Sequence, residues 1–195
     1  MRGERPAAEE AALVARAKQG DREAFSVLVE SHASAVLTVA WRILGDRATA
    51  EDVAQETFLA ACRGLPGFRA DARFSTWLYR IAVNKCRDLQ RSRTGDRHVA
   101  LAGDDGEAAL ESAGMSSDHR TPEDRLLDEH RARLVAEALG RLSPVYREAF
   151  VLKHVEGLSY DEMAEVLGVE SSTLRMRVYK ARQELSRDLA GLAMR

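Results

Sequence analysis

The sequence has few of the residues that cross-link, interrupt or anchor a chain. Its 195 residues include two cysteines, four prolines and 13 glycines. Cys62 and Cys86 lack metal-ligand spacing, which predicts two core thiols in a reducing compartment rather than a disulfide or redox pair. No run of about eighteen apolar residues is present, and the acidic, polar residues 1–14 do not resemble a secretion signal. We therefore expect no membrane insertion and a cytoplasmic location.

Groups that could perform chemistry are also sparse. The five histidines are scattered and show no Ser/His/Asp or metal-ligand spacing. They are His32, His98, His119, His130 and His154. The pattern predicts a protein that is not an enzyme and holds no metal or cofactor.

The charged residues nearly cancel in total but are unevenly distributed along the chain. The net charge of −2 conceals a basic block at residues 63–93, with eight Lys/Arg and two Asp/Glu. It also conceals an acidic block at residues 94–130, with three Lys/Arg and ten Asp/Glu. A basic block of this kind indicates an anionic partner such as nucleic acid.

Apolar spacing is helical in nearly the whole chain, and strand alternation is absent. The N-terminal part predicts four helices, at about Ala8–Gln19, Arg22–Leu44, Ala48–Arg63 and Ser75–Arg91. Residues 92–117 are rich in Gly, Ala, Ser and acid, which predicts a flexible linker. Thr121-Pro122 then has the N-cap and first-turn residues of a new helix. The expected fold is all-α, with small helical domains at 1–92 and 121–195 joined by an acidic linker at 93–120.

The C-terminal part contains a helix-turn-helix pattern from Tyr160 to Arg182. Ser159 and Glu162 form a capping box, and Gly168 suits the left-handed backbone of a tight turn. The helix after the turn carries four basic residues within eight positions. They are Arg175, Arg177, Lys180 and Arg182. A turn with glycine followed by an Arg-rich helix is the geometry of a major-groove reader, although similar corners occur in proteins that do not bind DNA.

The fourth predicted helix has a second basic surface. Arg80, Asn84, Arg87 and Arg91 follow one another at helical spacing, and Lys85 lies beside them. Arginine neutralises phosphates while asparagine can bond a base edge, so this row indicates nucleic-acid contact. Aromatic residues flank the Pro66-Gly67 break before it. We assign Phe74 and Trp77 to the core and leave Phe68 open between core packing and base stacking.

The third predicted helix carries Asp52, Gln55 and Glu56 on one face, opposite an apolar face that includes Phe58. From spacing alone this trio is typical of a solvated helix surface.

Three stretches together resemble bacterial sigma factors of the extracytoplasmic-function group. They are EDVAQETFLAAC (51–62), FRADARFSTWLYRIAVNKCRD (68–88) and LSYDEMAEVLGVESSTLRMRVYKAR (158–182). The resemblance covers about Gln19 to Leu189. It implies a region 2 domain that binds the β′ clamp helices of core RNA polymerase and opens the −10 promoter element. It also implies a region 4 domain that holds the β flap and reads the −35 element, and an anti-sigma partner that can hold the protein at the membrane.

The resemblance also implies roles for single residues. Core-polymerase binding falls on Asp52, Gln55, Glu56 and Phe58. The loop Gly67–Arg73 corresponds to the family's pocket for a flipped non-template base. Contact with −10 DNA falls on Phe68, Arg69, Arg73, Arg80, Asn84, Lys85, Arg87 and Arg91. Contact with −35 DNA falls on Ser172, Thr173, Arg175, Met176, Arg177, Tyr179 and Lys180.

Two positions depart from the pattern of many members, which have Gly where Ser172 stands and Ser where Met176 stands. Methionine cannot donate to a base edge but can contact a thymine methyl group, so the −35 sequence does not transfer from relatives. Two functions are open for the acidic linker: it acts as a mimic of nucleic acid inside the polymerase channels, or it is a plain spacer between the domains.

Other functions account for fewer of these features than a sigma factor does. A polymerase-independent helix-turn-helix regulator accounts for the C-terminal motif but not for the basic fourth helix or the Asp52 face. A helical adaptor without DNA contact, or an enzyme that uses Cys62 or Cys86, explains still fewer of the sequence features.

Overall fold

The computed structural model describes residues 7–69, 72–96 and 134–192. Within these ranges the protein is helical and has no strand. The N-terminal helices are α1 (Ala7–Lys18), α2 (Arg22–Leu44), α3 (Arg47–Gly64) and α4 (Phe74–Asp96), with a short 3-10 turn at Leu65–Gly67. The C-terminal helices are α5 (residues 134–141), α6 (Pro144–Phe150), α7 (Tyr160–Leu167) and α8 (Ser171–Leu192), and α6 continues as a π-helical turn at Val151–Val155.

Helix α2 is the centre of the N-terminal domain, because α1, α3 and α4 all pack on it. Its start is fixed by Asp21, whose carboxylate accepts from the Ala24 N–H at 3.0 Å, and it ends at Gly45 with φ of 80°. This helix is long and apolar enough to cross a membrane by length and composition. Its apolar residues Leu28, Val36, Val39 and Ile43 are buried in the protein core.

The predicted helix boundaries agree with the structure except at the end of α4. This helix continues five residues past Arg91, to Asp96. The extension passes the expected domain boundary at residue 92. The rest of the expected acidic linker, and the helix start expected at Thr121-Pro122, lie outside the described residues. The division into 1–92, 93–120 and 121–195 therefore stays a prediction.

The helix-turn-helix is formed by α7 and α8. The Ser159 side chain accepts from the Glu162 N–H at 3.2 Å, and the Glu162 carboxylate accepts from the Ser159 N–H at 2.8 Å, so the predicted capping box is confirmed. At the other end of α7, Gly168 has φ of 67° and donates its N–H to the Ala164 carbonyl at 2.9 Å. This left-handed residue turns the chain into α8, where Leu174 is buried as expected.

The polar contacts that attach helix α1 to the domain include two between residues far apart in the sequence. The ring of His32 on α2 lies 3.0 Å from the Glu10 carboxylate. Lys18 Nζ, at the end of α1, donates to the Phe68 carbonyl at 2.8 Å. The second contact ties α1 to the loop between α3 and α4.

The two domains lie against each other. One buried apolar cluster includes Val39, Ile43 and Val83 from α2 and α4 together with Leu152 and Met163 from the C-terminal domain. The sequence predicted two domains joined by a tether and did not indicate this shared core.

Replacing Gly168 by alanine is expected to destabilise the protein by about 1–2 kcal/mol, since a β-carbon is unfavourable at positive φ. Gly191 is a matched control, because it lies within α8, has open space around it and has no positive φ. Gly191→Ala is expected to be neutral or slightly stabilising. Urea unfolding of the full chain measures both, and equal effects would contradict the assignment of the turn.

The Glu10–His32 contact has a predictable acid dependence. The hydrogen bond to His32 lowers the pKa of Glu10 below its ordinary value of 4.5. A lowered pKa contributes stability that is present above 4.5 and is lost as the pH falls through the folded-state pKa. The stability difference between wild type and Glu10→Gln should therefore shrink below pH 4.5 in urea unfolding curves. A difference that stays constant across that range would exclude the contact.

Candidate nucleic-acid interface

Helix α8 presents a polar row opposite its buried side. Leu174, Val178, Ala181 and Leu185 are buried at helical spacing, which turns the intervening positions outward. The expected −35 residues that are exposed are Ser172, Thr173, Arg175, Met176, Tyr179 and Lys180. Arg177 is half-buried. A helix that projects side chains in this way is suited to the major groove.

Several contacts hold the exposed row in place. The Arg175 guanidinium lies over the Tyr160 ring, 5.3 Å from its centroid, and Lys153 Nζ lies 4.7 Å from the same centroid. Gln183 donates to the Tyr179 hydroxyl at 2.7 Å. Tyr160 begins α7, so the first helix of the motif positions a basic side chain on the second.

The exposed Met176 is the most unusual residue of this row. Its side chain is 55% exposed, next to Tyr179 at 58%. Because an exposed thioether makes only apolar or weak acceptor contacts with DNA, the row combines charged and apolar contact groups.

The loop between α3 and α4 borders a cavity of about 270 Å³. Its lining residues are Gly67, Phe68, Arg69, Ala72, Thr76, Trp77, Arg80 and Glu165. Glu165 belongs to α7, so the cavity lies where the two domains meet. Three of the expected −10 residues, Phe68, Arg69 and Arg80, are thus brought together here.

The Phe68 ring, left open between core and base stacking by the sequence, packs in the core. It is 7% exposed and lies 4.9 Å from the Trp77 ring and 5.8 Å from the Phe74 ring, measured between centroids. Phe74 is buried and Trp77 is half-buried against the same cluster, as expected. Lys18 holds the Phe68 carbonyl from α1, and the sequence offered no signal for this long-range bond.

The basic row of α4 includes exposed side chains and side chains that pair with acidic residues. Arg80 and Asn84 are exposed, and Arg91 is exposed beside Asp88, with which it forms an ion pair. Lys85 Nζ lies 2.7 Å from the Glu56 carboxylate on α3. Arg87 instead turns toward the C-terminal domain, where Nε and Nη2 donate to the two Glu148 oxygens at 2.9 and 2.6 Å. The hydrogen bond to Glu148 raises the pKa of Arg87.

The polar face of α3 is open to solvent. Asp52, Gln55 and Glu56 are exposed, and Leu59 continues the same face with 57% of its side chain exposed. Phe58 is half-buried and packs against the core of the N-terminal domain. An acidic face with one exposed leucine is suited to a basic or mixed protein surface.

Two family models match this chain in the order that these surfaces follow. The model of sigma-70 region 2 matches residues 28–95, and the model of sigma-70 region 4 matches residues 132–185. The RNA polymerase sigma-H factor of Pseudomonas aeruginosa is 34% identical over 92% of this chain and 93% of its own length. The ECF RNA polymerase sigma factor SigW of Bacillus subtilis is 30% identical over 92% of this chain and 96% of its own.

The chain is an extracytoplasmic-function sigma factor. Among solved structures, CnrH in complex with the cytosolic domain of CnrY is similar, with a TM-score of 0.67 and 32% identity over 94% of this chain and 98% of that one. The sigma factor binds core RNA polymerase and directs promoter-specific initiation of transcription in the cytoplasm. Sigma factors are not enzymes, and the relatives named above do not favour a polymerase-independent regulator.

The burial of Phe68 predicts a structural role for its ring in this sigma factor. Phe68→Ala should cost about 3–5 kcal/mol of unfolding free energy, as expected for a buried aromatic ring. Leu59→Ala, at an exposed position, should change it by less than about 0.5 kcal/mol. Urea unfolding compares the two variants, and a near-neutral Phe68→Ala would mean that the ring is not packed in the core.

Proposed function

We propose that this sigma factor uses three surfaces in initiation. The polar face of α3 binds core polymerase, α4 with its preceding loop holds the opened −10 element, and the exposed row of α8 reads the −35 element. The observation that carries the proposal is that the polar faces of α3 and α8, and Arg80, Asn84 and Arg91 on α4, are solvent-exposed while the opposite sides of these helices are buried.

The core-polymerase surface consists of Asp52, Gln55 and Glu56, with Leu59 as an apolar contact beside them. Phe58 supports this face from behind through its packing in the core. Glu56 is already paired with Lys85. Asp52 and Gln55 are therefore the positions at which polymerase binding can be tested without disturbing an internal contact.

At the −10 element, the cavity beside Gly67 and Phe68 has a size and a rim that suit a flipped base. Trp77 supplies an aromatic wall, and Arg69 and Arg80 supply positive charge near the backbone. Trapping a flipped base there offsets the unstacking cost of roughly a few kcal/mol. Asn84 and Arg91 extend this contact along α4, and polymerase carries out the chemistry of RNA synthesis.

Regulation by an anti-sigma factor is part of the proposal. A similar structure contains CnrH with the cytosolic domain of CnrY, and the chain resembles CnrH over nearly its whole length. A membrane-held partner of this kind would keep the protein at the membrane surface without any insertion of its own.

Binding to core polymerase is tested with the double variant Asp52→Ala with Gln55→Ala. Its affinity for purified core enzyme should fall about tenfold or more, because one lost polar contact at a buried interface costs about 1 kcal/mol or more. Glu23→Gln is the control, since Glu23 is exposed in the first turn of α2 and does not belong to α3. Equal affinities in a fluorescence titration would remove α3 from the polymerase interface.

Reading of the −35 element is tested by run-off transcription with core polymerase on a pool of genomic promoter fragments. Arg175→Ala and Lys180→Ala should each make the apparent free energy of promoter binding less favourable by about 1–3 kcal/mol. Arg187→Ala is a matched control, being an exposed basic residue further along α8. If all three variants behave alike, the exposed row does not choose the promoter.

A further inference from the structure

Helix α8 carries two large apolar side chains on the side that faces away from the core. Met176 is 55% exposed and Tyr179 is 58% exposed, and we call these two residues the apolar pair. Among the described residues, five large hydrophobic side chains are exposed, and two of the five form this pair. Neither side chain belongs to a described buried cluster, so core packing does not account for their apolar character.

Helical geometry places Met176 at the centre of the exposed row. The buried residues of α8 define the side that faces the core. They are Leu174, Val178, Ala181 and Leu185. At about 3.6 residues per turn, Met176 lies almost directly opposite them, with Arg175 on one flank and Lys180 on the other. Met176 is in the second turn of α8, and the N-terminal residues of a recognition helix are the ones that contact base edges.

Contacts within the domain hold the groups around Met176. The Arg175 guanidinium lies 5.3 Å from the centroid of the Tyr160 ring, so this side chain is directed toward α7. Gln183 Nε2 donates to the Tyr179 hydroxyl at 2.7 Å, so the polar end of Tyr179 is bonded within α8. The row therefore has an apolar centre between cationic flanks.

A thioether at the centre of a major-groove reader matches few groups of DNA. Methionine has no hydrogen-bond donor, and its sulfur is a weak acceptor. Purine N7 and O6 atoms placed against it lose their bonds to water without replacement, which costs free energy. The apolar group that base pairs present in this groove is the 5-methyl group of thymine. A cytosine methylated at the same carbon presents the same group.

The charges beside the apolar pair fit a nucleic-acid partner. Arg175, Arg177 and Lys180 lie within about one turn of Met176. Cations on both sides of an apolar centre match a groove in which base methyl groups lie between two rows of phosphates. Methionine is also unbranched and flexible, so its side chain can follow the irregular surface of stacked bases.

We propose that Met176, supported by Tyr179, recognises the 5-methyl group of a pyrimidine in the −35 element. The basic side chains contribute to DNA binding as described above, whereas Met176 adds discrimination against base pairs that lack this methyl group. The proposal rests on the proposed −35 role of α8 and names the group that the centre of its exposed row reads.

The test is a methyl scan of a promoter fragment obtained in the run-off experiment, bound by the sigma factor together with core polymerase. Each thymine of the −35 element, on either strand, is replaced singly by deoxyuridine, which removes one methyl group and keeps the base pairing. At one position we expect wild type to bind about fourfold more weakly, as for one methyl group withdrawn from an apolar contact. Met176→Ala should bind the thymine and deoxyuridine fragments equally at that position.

Val145→Ala is the matched control, since Val145 is an exposed apolar residue on α6, outside the row. It should show the same loss as wild type on the deoxyuridine fragment. The readout is the ratio of two DNA affinities for one protein. A variant that is merely less stable, or that binds polymerase less well, therefore leaves the ratio unchanged.

A second arm distinguishes the two sources of the methyl group, because each cytosine of the element is replaced singly by 5-methylcytosine. A Met176-dependent loss with deoxyuridine supports the proposal with thymine as the ligand. A Met176-dependent gain of about fourfold with 5-methylcytosine supports it with methylated cytosine as the ligand.

The absence of a Met176-dependent change in both arms overturns the proposal and leaves the apolar pair to a protein partner. If Arg175→Ala and Lys180→Ala still weaken promoter binding in that case, only the reading of the methyl group has failed. If they also have no effect, the proposed −35 role of α8 has failed.

Discussion

The relative placement of the two domains depends on one buried carboxylate. Glu148 lies in an apolar setting between α4 and α6, and the fork of Arg87 satisfies both of its oxygens. Because both oxygens of Glu148 are bonded to one guanidinium, this ion pair allows α6 little sliding or rotation on α4. The apolar cluster around Glu148 accounts for most of the surface buried between the domains, while the ion pair determines where α6 lies along α4.

The same division between burial and orientation recurs within the helix-turn-helix. Leu174, Val178 and Ala181 attach α8 through one side, and the turn at Gly168 sets its angle to α7. Once these are fixed, the exposed side of α8 follows from helical geometry. The proposed −35 surface is thus the side of α8 that the core does not bury.

Much of this could be predicted from the sequence, because local rules govern it. The capping box at Ser159, the turn at Gly168 and the buried position of Leu174 depend on residues close in the chain. The sequence-based end of α4 at Arg91 is too early, because residues 92–94 contain no strong helix breaker and the helix continues to Asp96. The exposed rows of α3 and α8 follow from helical periodicity, and the roles proposed for them come from the resemblance to sigma factors.

The contacts between domains could not be predicted in this way. Arg87 has the same chemistry whether it faces a phosphate or Glu148, and helical periodicity alone does not tell these apart. Glu148 adjoins the apolar residues Ala149 and Phe150, and an acid in such a setting was the one available hint of a buried partner. Lys18 and Phe68 are fifty positions apart in the sequence. Because the acceptor is a backbone carbonyl, no pattern of side chains in the sequence indicates this hydrogen bond.

The position of α1 has a practical consequence for dissecting this protein. The region 2 match begins at residue 28, after α1 has ended, yet Lys18 reaches the loop that borders the cavity. A fragment cut at the limits of the family match would lose this bond and expose the side of α2 against which Val14 and Ala17 pack. Domain limits drawn from the family match and limits drawn from packing differ here by α1 and the first six residues of α2, and fragments for binding studies should begin before Ala7.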